Sequence, residues 1–132
     1  MDSEQISQLR ETAKKAAAKA YSPYSKVQVG AALLTENGTF SGCNIENASY
    51  GATICGERVA LFKAVSGGAT KLQAIYLYTK EGWPPCGMCR QVLNEFAGSE
   101  LTIIIGDEAG KEDITTLSDL LPLAFRPGHL LK

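Results

Sequence analysis

The chain has no apolar run approaching the ~20 residues of a membrane-spanning helix. Its opening stretch, MDSEQISQLRETAKK, lacks the apolar centre of a signal peptide. Both absences lead to the expectation of a cytoplasmic protein with no membrane partner. An excess of charge is also missing. With 13 Lys and Arg against 14 Asp and Glu the formal net charge is −1, which offers a polyanion little to hold and disfavours a nucleic-acid partner. Histidine is all but absent: His129 is the one copy, and its place in a tail beside Pro127 and Gly128 argues against a ligand role. Repeats, linkers and low-complexity segments are missing too, so residues 1–132 read as one domain. A chain of that length buries roughly two-thirds of the surface its unfolded form exposes and needs no covalent staples.

What the chain does have is four cysteines, Cys43, Cys55, Cys86 and Cys89. In a reducing compartment they are poor material for a disulfide framework, which leaves metal binding or thiol chemistry. Their setting follows from a coarse reading of the elements. Residues 3–20 carry a helical pattern with Ser3 as N-cap. Residues 27–35 and 39–44 read as strands joined by Glu36-Asn-Gly38, a strong hairpin signal. Cys55 opens a helix that runs to about residue 65 and stops at Gly67-Gly68. A strand over 72–79, a proline and glycine loop EGWPPCG, a helix over 88–96 and a doubly buried strand over 101–105 follow. Residues 117–121 suggest a short helix before an irregular end. The order α-β-β-α-β-α-β implies an α/β, three-layer α-β-α domain, with a hairpin first and helical crossovers later.

Two helix starts therefore carry thiols, each after a strand and a glycine-containing loop, where such sheets place their sites. The pair Cys86-Gly-Met-Cys89 alone is ambiguous between zinc and redox chemistry. Cys55 supplies a third thiol, and three protein ligands leave the fourth tetrahedral position of zinc open for water. A four-cysteine structural site including Cys43 stays open as an alternative, although spacings of 11, 30 and 2 intervening residues do not match paired knuckles. Glu57, two residues past Cys55, is placed to shuttle protons without binding the metal. Three thiolates on Zn²⁺ leave a net −1, so Arg58 and Arg90 are the candidates to compensate it, with both helix N-termini adding positive potential.

The segments GCNIENASYG (42–51), CGER (55–58) and PCGMCRQVL (85–93) together resemble the small homotetrameric zinc-dependent cytidine deaminases. YSPYS (21–25), VGAAL (29–33) and Leu-Leu-Pro with Phe125 extend the likeness over most of the chain. The resemblance implies a mixed sheet of about five strands. It also implies one Zn²⁺ per subunit on Cys55, Cys86 and Cys89, and hydroxide attack on C4 of cytosine with Glu57 moving protons. Cytidine and deoxycytidine would yield uridine and deoxyuridine with loss of ammonia, a pyrimidine-salvage reaction.

Asn44 and Glu46 match the ribose-holding pair. Ala48, Tyr50 and Phe125 match positions that reach into a neighbouring subunit's pocket, so a homotetramer with shared sites is expected. Four positions depart from the family pattern. Val27 stands where a Phe that packs on the base is common, Gln28 replaces Pro, Gly56 replaces Ala, and Pro84 replaces Ser or Thr. Gly56 and Pro84 would still offer backbone groups to the substrate. The rival readings are a structural-zinc module, a thiol oxidoreductase on Cys86 and Cys89, a polynucleotide deaminase, and a deaminase of an aminonucleoside such as blasticidin S.

Overall fold

Asp2 begins the fold by capping the first helix. Its carboxylate accepts from the Gln5 N–H at 2.8 Å, and the Gln5 side chain accepts from the Asp2 N–H at 3.1 Å, a reciprocal capping box. In the computed structural model, which describes residues 1–131, α1 therefore spans Ser3–Ala17, with its cap one residue before Ser3. It ends short of residue 20 because Lys19 and Ala20 turn back tightly onto the carbonyls of Ala16 and Ala17.

The strands are β1 (Gly30–Thr35), β2 (Gly38–Cys43), β3 (Leu72–Tyr78), β4 (Thr102–Gly106) and β5 (Glu112–Thr116), and they form one sheet in the order β2-β1-β3-β4-β5. Only β3 and β4 pair in parallel; the sheet is mixed. Between β1 and β2, Thr35 pairs with Gly38, and Gly38 takes φ +99°, the left-handed backbone that glycine allows in a tight hairpin. β1 is shorter than the expected 27–35. The backbone of residues 27–29 is held by the Asn44 amide, which donates to the Val27 carbonyl at 2.8 Å and accepts from the Val29 N–H at 2.9 Å.

β5 is absent from the sequence reading. Its single large apolar residue, Ile114, is 60% exposed, so no alternating pattern marks it. Pairing with β4 and a fork from Arg10 to Glu112 at 2.6 and 2.8 Å hold it in place.

The remaining helices are α2 (Gly56–Ser66), α3 (Gly87–Phe96), and the short α4 (Leu117–Leu120) and α5 (Pro127–Leu130). Alternation along the strands sorts the core into two layers. Leu33, Ile75, Leu77 and Ile103 pack with Ala60, Leu61 and Leu93 of α2 and α3. Ala32, Ala74, Tyr76 and Ile104 pack with Leu9 and Ala13 of α1. Each fully buried Leu or Ile contributes about 1.5–3 kcal/mol. The result is the three-layer α-β-α arrangement, helices on both faces of the sheet.

The same topology positions the functional end. β2 and β3 both run antiparallel to β1 and so point the same way, and Cys43 and Tyr78 flank Gly30 in register. The loops that leave β2 and β3 therefore start side by side and open α2 and α3 at one edge of the sheet.

Candidate active site

Cys55 is the N-cap of α2 and Cys86 the N-cap of α3, while Cys89 lies in the first turn of α3. Ser, Thr, Asp or Asn at such positions would turn its oxygen onto the helix N–H groups. Neither thiol makes a capping hydrogen bond, so both sulfurs are available to a ligand. The three Sγ atoms lie within 4.8 Å of one another, with Cys55 to Cys86 at 3.7 Å and Cys86 to Cys89 at 3.3 Å. Tetrahedral zinc with Zn–S bonds of about 2.3 Å sets its sulfurs about 3.8 Å apart. The geometry and soft donors fit that ion. Cys43 is not part of the cluster, and among the described residues no carboxylate or imidazole completes it.

Electrostatics divide the thiols. Cys55 is pulled down to about 5, first by the hydrogen bond from the Cys89 thiol and then by Arg58, against its own burial. Cys89 moves the other way, because it donates that bond and is buried. Arg58 Nη2 lies 3.4 Å from Cys55 Sγ, and its buried Nε has no partner among the described residues.

Glu57 is 3% exposed, and its buried Oε1 has no hydrogen-bond partner among the described residues. Burial raises its carboxyl to about 7, with the nearby Cys55 charge adding to the effect. A buried acceptor without a partner costs about 1–3 kcal/mol or more, so a structural role gives no reason for this carboxylate. A carboxyl that titrates near neutrality beside a cavity can both take and return a proton.

That cavity holds about 280 Å³ and is lined by Cys55, Cys86 and Glu57 at one end and by Asn44, Glu46 and Ser25 among its polar residues. Glu46 Oε1 accepts from the N–H groups of Tyr24 and Ser25 at 3.0 and 3.1 Å, and Oε2 accepts from the Ser25 hydroxyl. Those bonds, the Ser25 hydroxyl first, hold its carboxyl below the usual range. Reciprocal bonds between Ile45 and Ile54, both 3.0 Å, and a bond from Glu46 N–H to the Tyr21 carbonyl at 2.8 Å fix the loop that carries Asn44 and Glu46 alongside the approach to Cys55.

The sequence candidates do not all converge. Val27 and Pro84 line the cavity with Asn44 and Glu46. Gly56 is buried behind it, where an added Cβ would meet Cys43 Cα and the carbonyls of Gly42 and Val29 at 3.3 Å. Ala48, Tyr50 and Phe125 are exposed and do not line their own chain's cavity. Tyr50, 76% exposed, meets Tyr24 edge to face at 5.9 Å in a shallow adjoining cup that shares Ser25, Glu46 and Thr53 with the cavity. Phe125, 56% exposed, stacks on His129 at 5.3 Å.

Arg90 makes its hydrogen bonds away from the sulfurs. Its guanidinium donates Nε to the Pro85 carbonyl and Nη1 to the Leu120 carbonyl, both at 2.8 Å. The first carbonyl lies in the loop and the second ends a helix, where no later N–H reaches it, so both need donors, and Arg90 ties the loop before α3 to the end of α4. Of the two arginines, Arg58 is the one bonded to sulfur. The sequence reading passed over Ser25, Thr79 and Trp83, which also line the cavity. Trp83 had a signal: it stands three residues before Cys86 in the loop already singled out.

A sheet that opens two helices onto one cluster of three thiols, leaving a corner of the tetrahedron to a cavity, is the architecture of a metal-dependent enzyme; a metal-braced binding module closes all four corners. Comparison with known proteins agrees. Residues 3–105 match the family model for the cytidine and deoxycytidylate deaminase zinc-binding region. A cytidine deaminase of Sporosarcina psychrophila is 46% identical over 123 residues, 91% of this chain and 90% of the relative. One of Halalkalibacterium halodurans is 50% identical over 109 residues, 80% and 83% of the two chains. The crystal structure of cytidine deaminase from Burkholderia pseudomallei superposes with a TM-score of 0.87 at 43% identity, over 95% of this chain and all of that one. A blasticidin-S deaminase of Bacillus cereus is more distant, 32% identical over 112 residues, 76% of this chain and 79% of that one. The chain belongs to the cytidine deaminase family, whose members carry a zinc-binding region.

Proposed function

We propose that this chain catalyses the hydrolytic deamination of cytidine and deoxycytidine, giving uridine or deoxyuridine and ammonia, with zinc held by Cys55, Cys86 and Cys89. The observation that carries this reading is the buried, partnerless Oε1 of Glu57 beside a three-thiol cluster at the end of a cavity. Zinc, when bound, supplies a Lewis acid that makes water a nucleophile at neutral pH.

The residues of the chain do the rest. Glu57 takes a proton from the attacking water and gives it to N3 of the base as C4 becomes tetrahedral. It then takes the proton of the C4 hydroxyl and passes it to the exocyclic nitrogen, which leaves as ammonia while the C4 carbonyl forms. Arg58 offsets the negative charge of the thiolate set through Cys55. Arg90 acts as a positioning residue, fixing the Pro84 and Pro85 backbone against α3. The Pro84 backbone, in the cavity lining, and the Gly56 backbone just behind it would serve the polar edge of the base, and Val27 supplies an apolar wall. Asn44 keeps one Nδ2 hydrogen beyond those its bonds use, and Glu46 keeps acceptor capacity on Oε2; together they hold the ribose hydroxyls. A site built for hydroxyls discriminates strongly against their loss.

The exposed Ala48, Tyr50 and Phe125, which match family positions that reach a neighbouring subunit's pocket, support a homotetramer in which each pocket is closed by a neighbour. Four free cysteines support a reducing, cytoplasmic setting, and the absence of a charge excess supports a small nucleoside as substrate. Blasticidin S is the alternative substrate. The test is Glu57→Gln: retained zinc with cytidine turnover down by at least 10²-fold is expected, and full turnover in that variant removes the mechanism. Comparing cytidine, deoxycytidine and blasticidin S decides the substrate.

A further inference from the structure

The chain contains a single tryptophan, and the fold builds it into the cavity wall. Trp83 and Val27 line both the 280 Å³ cavity and a second cavity of about 230 Å³ whose other walls include Lys26, Gln28, Lys80 and Glu108. Both residues therefore stand in the wall that these spaces share. Val27 is aliphatic, as are the neighbouring Val29, Ile54 and Leu77. Among the described residues, Trp83 is the only aromatic one that lines the first cavity.

The backbone holds Trp83 firmly. Its N–H donates to Thr79 Oγ1 at 2.7 Å, and Thr79 is buried. Gly82 turns the chain just before it with φ +74°, and a Cβ there would stand 3.1 Å from Asp107 Cβ. Pro84 and Pro85 follow, each with a fixed φ. Trp83 as a whole is 48% exposed, and its indole N–H makes no hydrogen bond among the described residues. A large flat ring, anchored by its backbone and left open on its side chain, binds a planar ligand at little cost in ordering.

We propose that Trp83 is the base-stacking and specificity-determining residue of the nucleoside pocket, giving the cytosine ring the π surface that Val27 cannot and closing the pocket against the second cavity. This rests on the nucleoside reading above. Removing the indole takes away the stacking partner and joins the two cavities, so cytidine binds less well and bulkier bases gain access.

The experiment has two parts. Steady-state kinetics on zinc-loaded wild type, Trp83→Ala and Trp83→Phe should show KM for cytidine raised on the order of tenfold in Trp83→Ala, with kcat changed much less. Trp83→Phe, which keeps an aromatic face, should fall between wild type and Trp83→Ala. In Trp83→Ala the ratio of 5-iodocytidine to cytidine turnover should rise. Titrating wild type with uridine should quench the lone tryptophan's emission to saturation, while ribose at the same concentration should not; this measurement stands even if Trp83→Ala fails to fold. A cytidine KM within about twofold of wild type in folded Trp83→Ala, or emission that uridine leaves unchanged, overturns the proposal. If wild type deaminates cytidine while either of those results is found, Trp83 alone is misassigned; if wild type deaminates no cytidine, the nucleoside reading fails and this proposal with it.

Discussion

Arg58 reaches back three residues along the first turn of α2 to set its guanidinium 3.4 Å from the sulfur of Cys55. One helix start thus carries a thiol, a buried acid at Glu57 and the cation that stabilises the thiol as thiolate. Glu57 and Arg58 do not pair with each other: the acid keeps a free oxygen and the base leans on sulfur. A salt bridge between them would have satisfied both locally and left the Glu57 carboxylate occupied.

Replacing Arg58 by Gln should leave the fold intact and weaken both metal retention and turnover. Partners that tune ligands from behind are worth about 10–100-fold. Zinc partitioning against a competing chelator and kcat/KM for cytidine should both fall within that range. Arg58→Lys, which restores charge without the planar fork, should recover part of the loss. Arg90→Gln should instead lower stability more than zinc affinity, since its bonds go to the carbonyls of Pro85 and Leu120.

Two glycines near the site should respond very differently to alanine. A Cβ on Gly42 would come within 2.5 Å of the Ala60 nitrogen and the Gly56 carbonyl, so α2 must move off β2 and carry Cys55 and Glu57 with it. Gly42→Ala should cost about 1–3 kcal/mol or more and depress activity beyond what unfolding explains. At Gly56 the nearest atoms are 3.3 Å away, a fit that a few tenths of an ångström of give would relieve, while alanine also favours the helix. Gly56→Ala should stay within about 1 kcal/mol of wild type. Thermal melts and kcat of both variants check the contrast.

Far from the site, Glu112 on β5 accepts from Arg10 on α1 at 2.6 and 2.8 Å and from the Tyr76 hydroxyl on β3. These partners, Arg10 first, hold its carboxyl below the ordinary value. The unfolded chain therefore binds the proton more readily, and the group's stabilisation is fully present above the unfolded carboxylate range near pH 4.3 and is lost as pH falls through the lower folded value. Glu112→Gln should destabilise by about 1–3 kcal/mol at pH 7. The gap in melting temperature between it and wild type should narrow below about pH 4.

These sites differ in how much of them the sequence discloses. The hairpin was legible because Asn37-Gly38 admits few other turns, and both thiol-bearing helix starts were legible because each sets a cysteine directly before a glycine, with two prolines ahead of Cys86 as well. β5 was not, because an edge strand with one exposed isoleucine carries no periodicity; what defines it is an ion pair 102 residues apart in sequence. Residues 27–29 alternate like a strand, yet a side chain, Asn44, takes the bonds a strand partner would have made. Arg58 and Arg90 each follow a cysteine-bearing motif with the same charge. Only the fold shows that one finds sulfur and the other finds carbonyls.

Joining two helices through one ion has a consequence for stability as well as for chemistry. Cys55 belongs to α2 while Cys86 and Cys89 belong to α3, so a bound metal cross-links elements separated by β3, and its binding free energy adds to that of folding. Chelation should lower the melting temperature and abolish turnover, and stoichiometric Zn²⁺ should restore both. Cys55→Ser, Cys86→Ser and Cys89→Ser should each hold far less than one zinc per chain and show little further change on chelation. Cys43→Ser is the control, because Cys43 lies outside the cluster; it should retain one zinc and nearly full activity. Elemental analysis and paired melts with and without chelator measure this directly. Loss of zinc from Cys43→Ser would mean that a fourth thiol closes the site, leaving no position from which water could be activated.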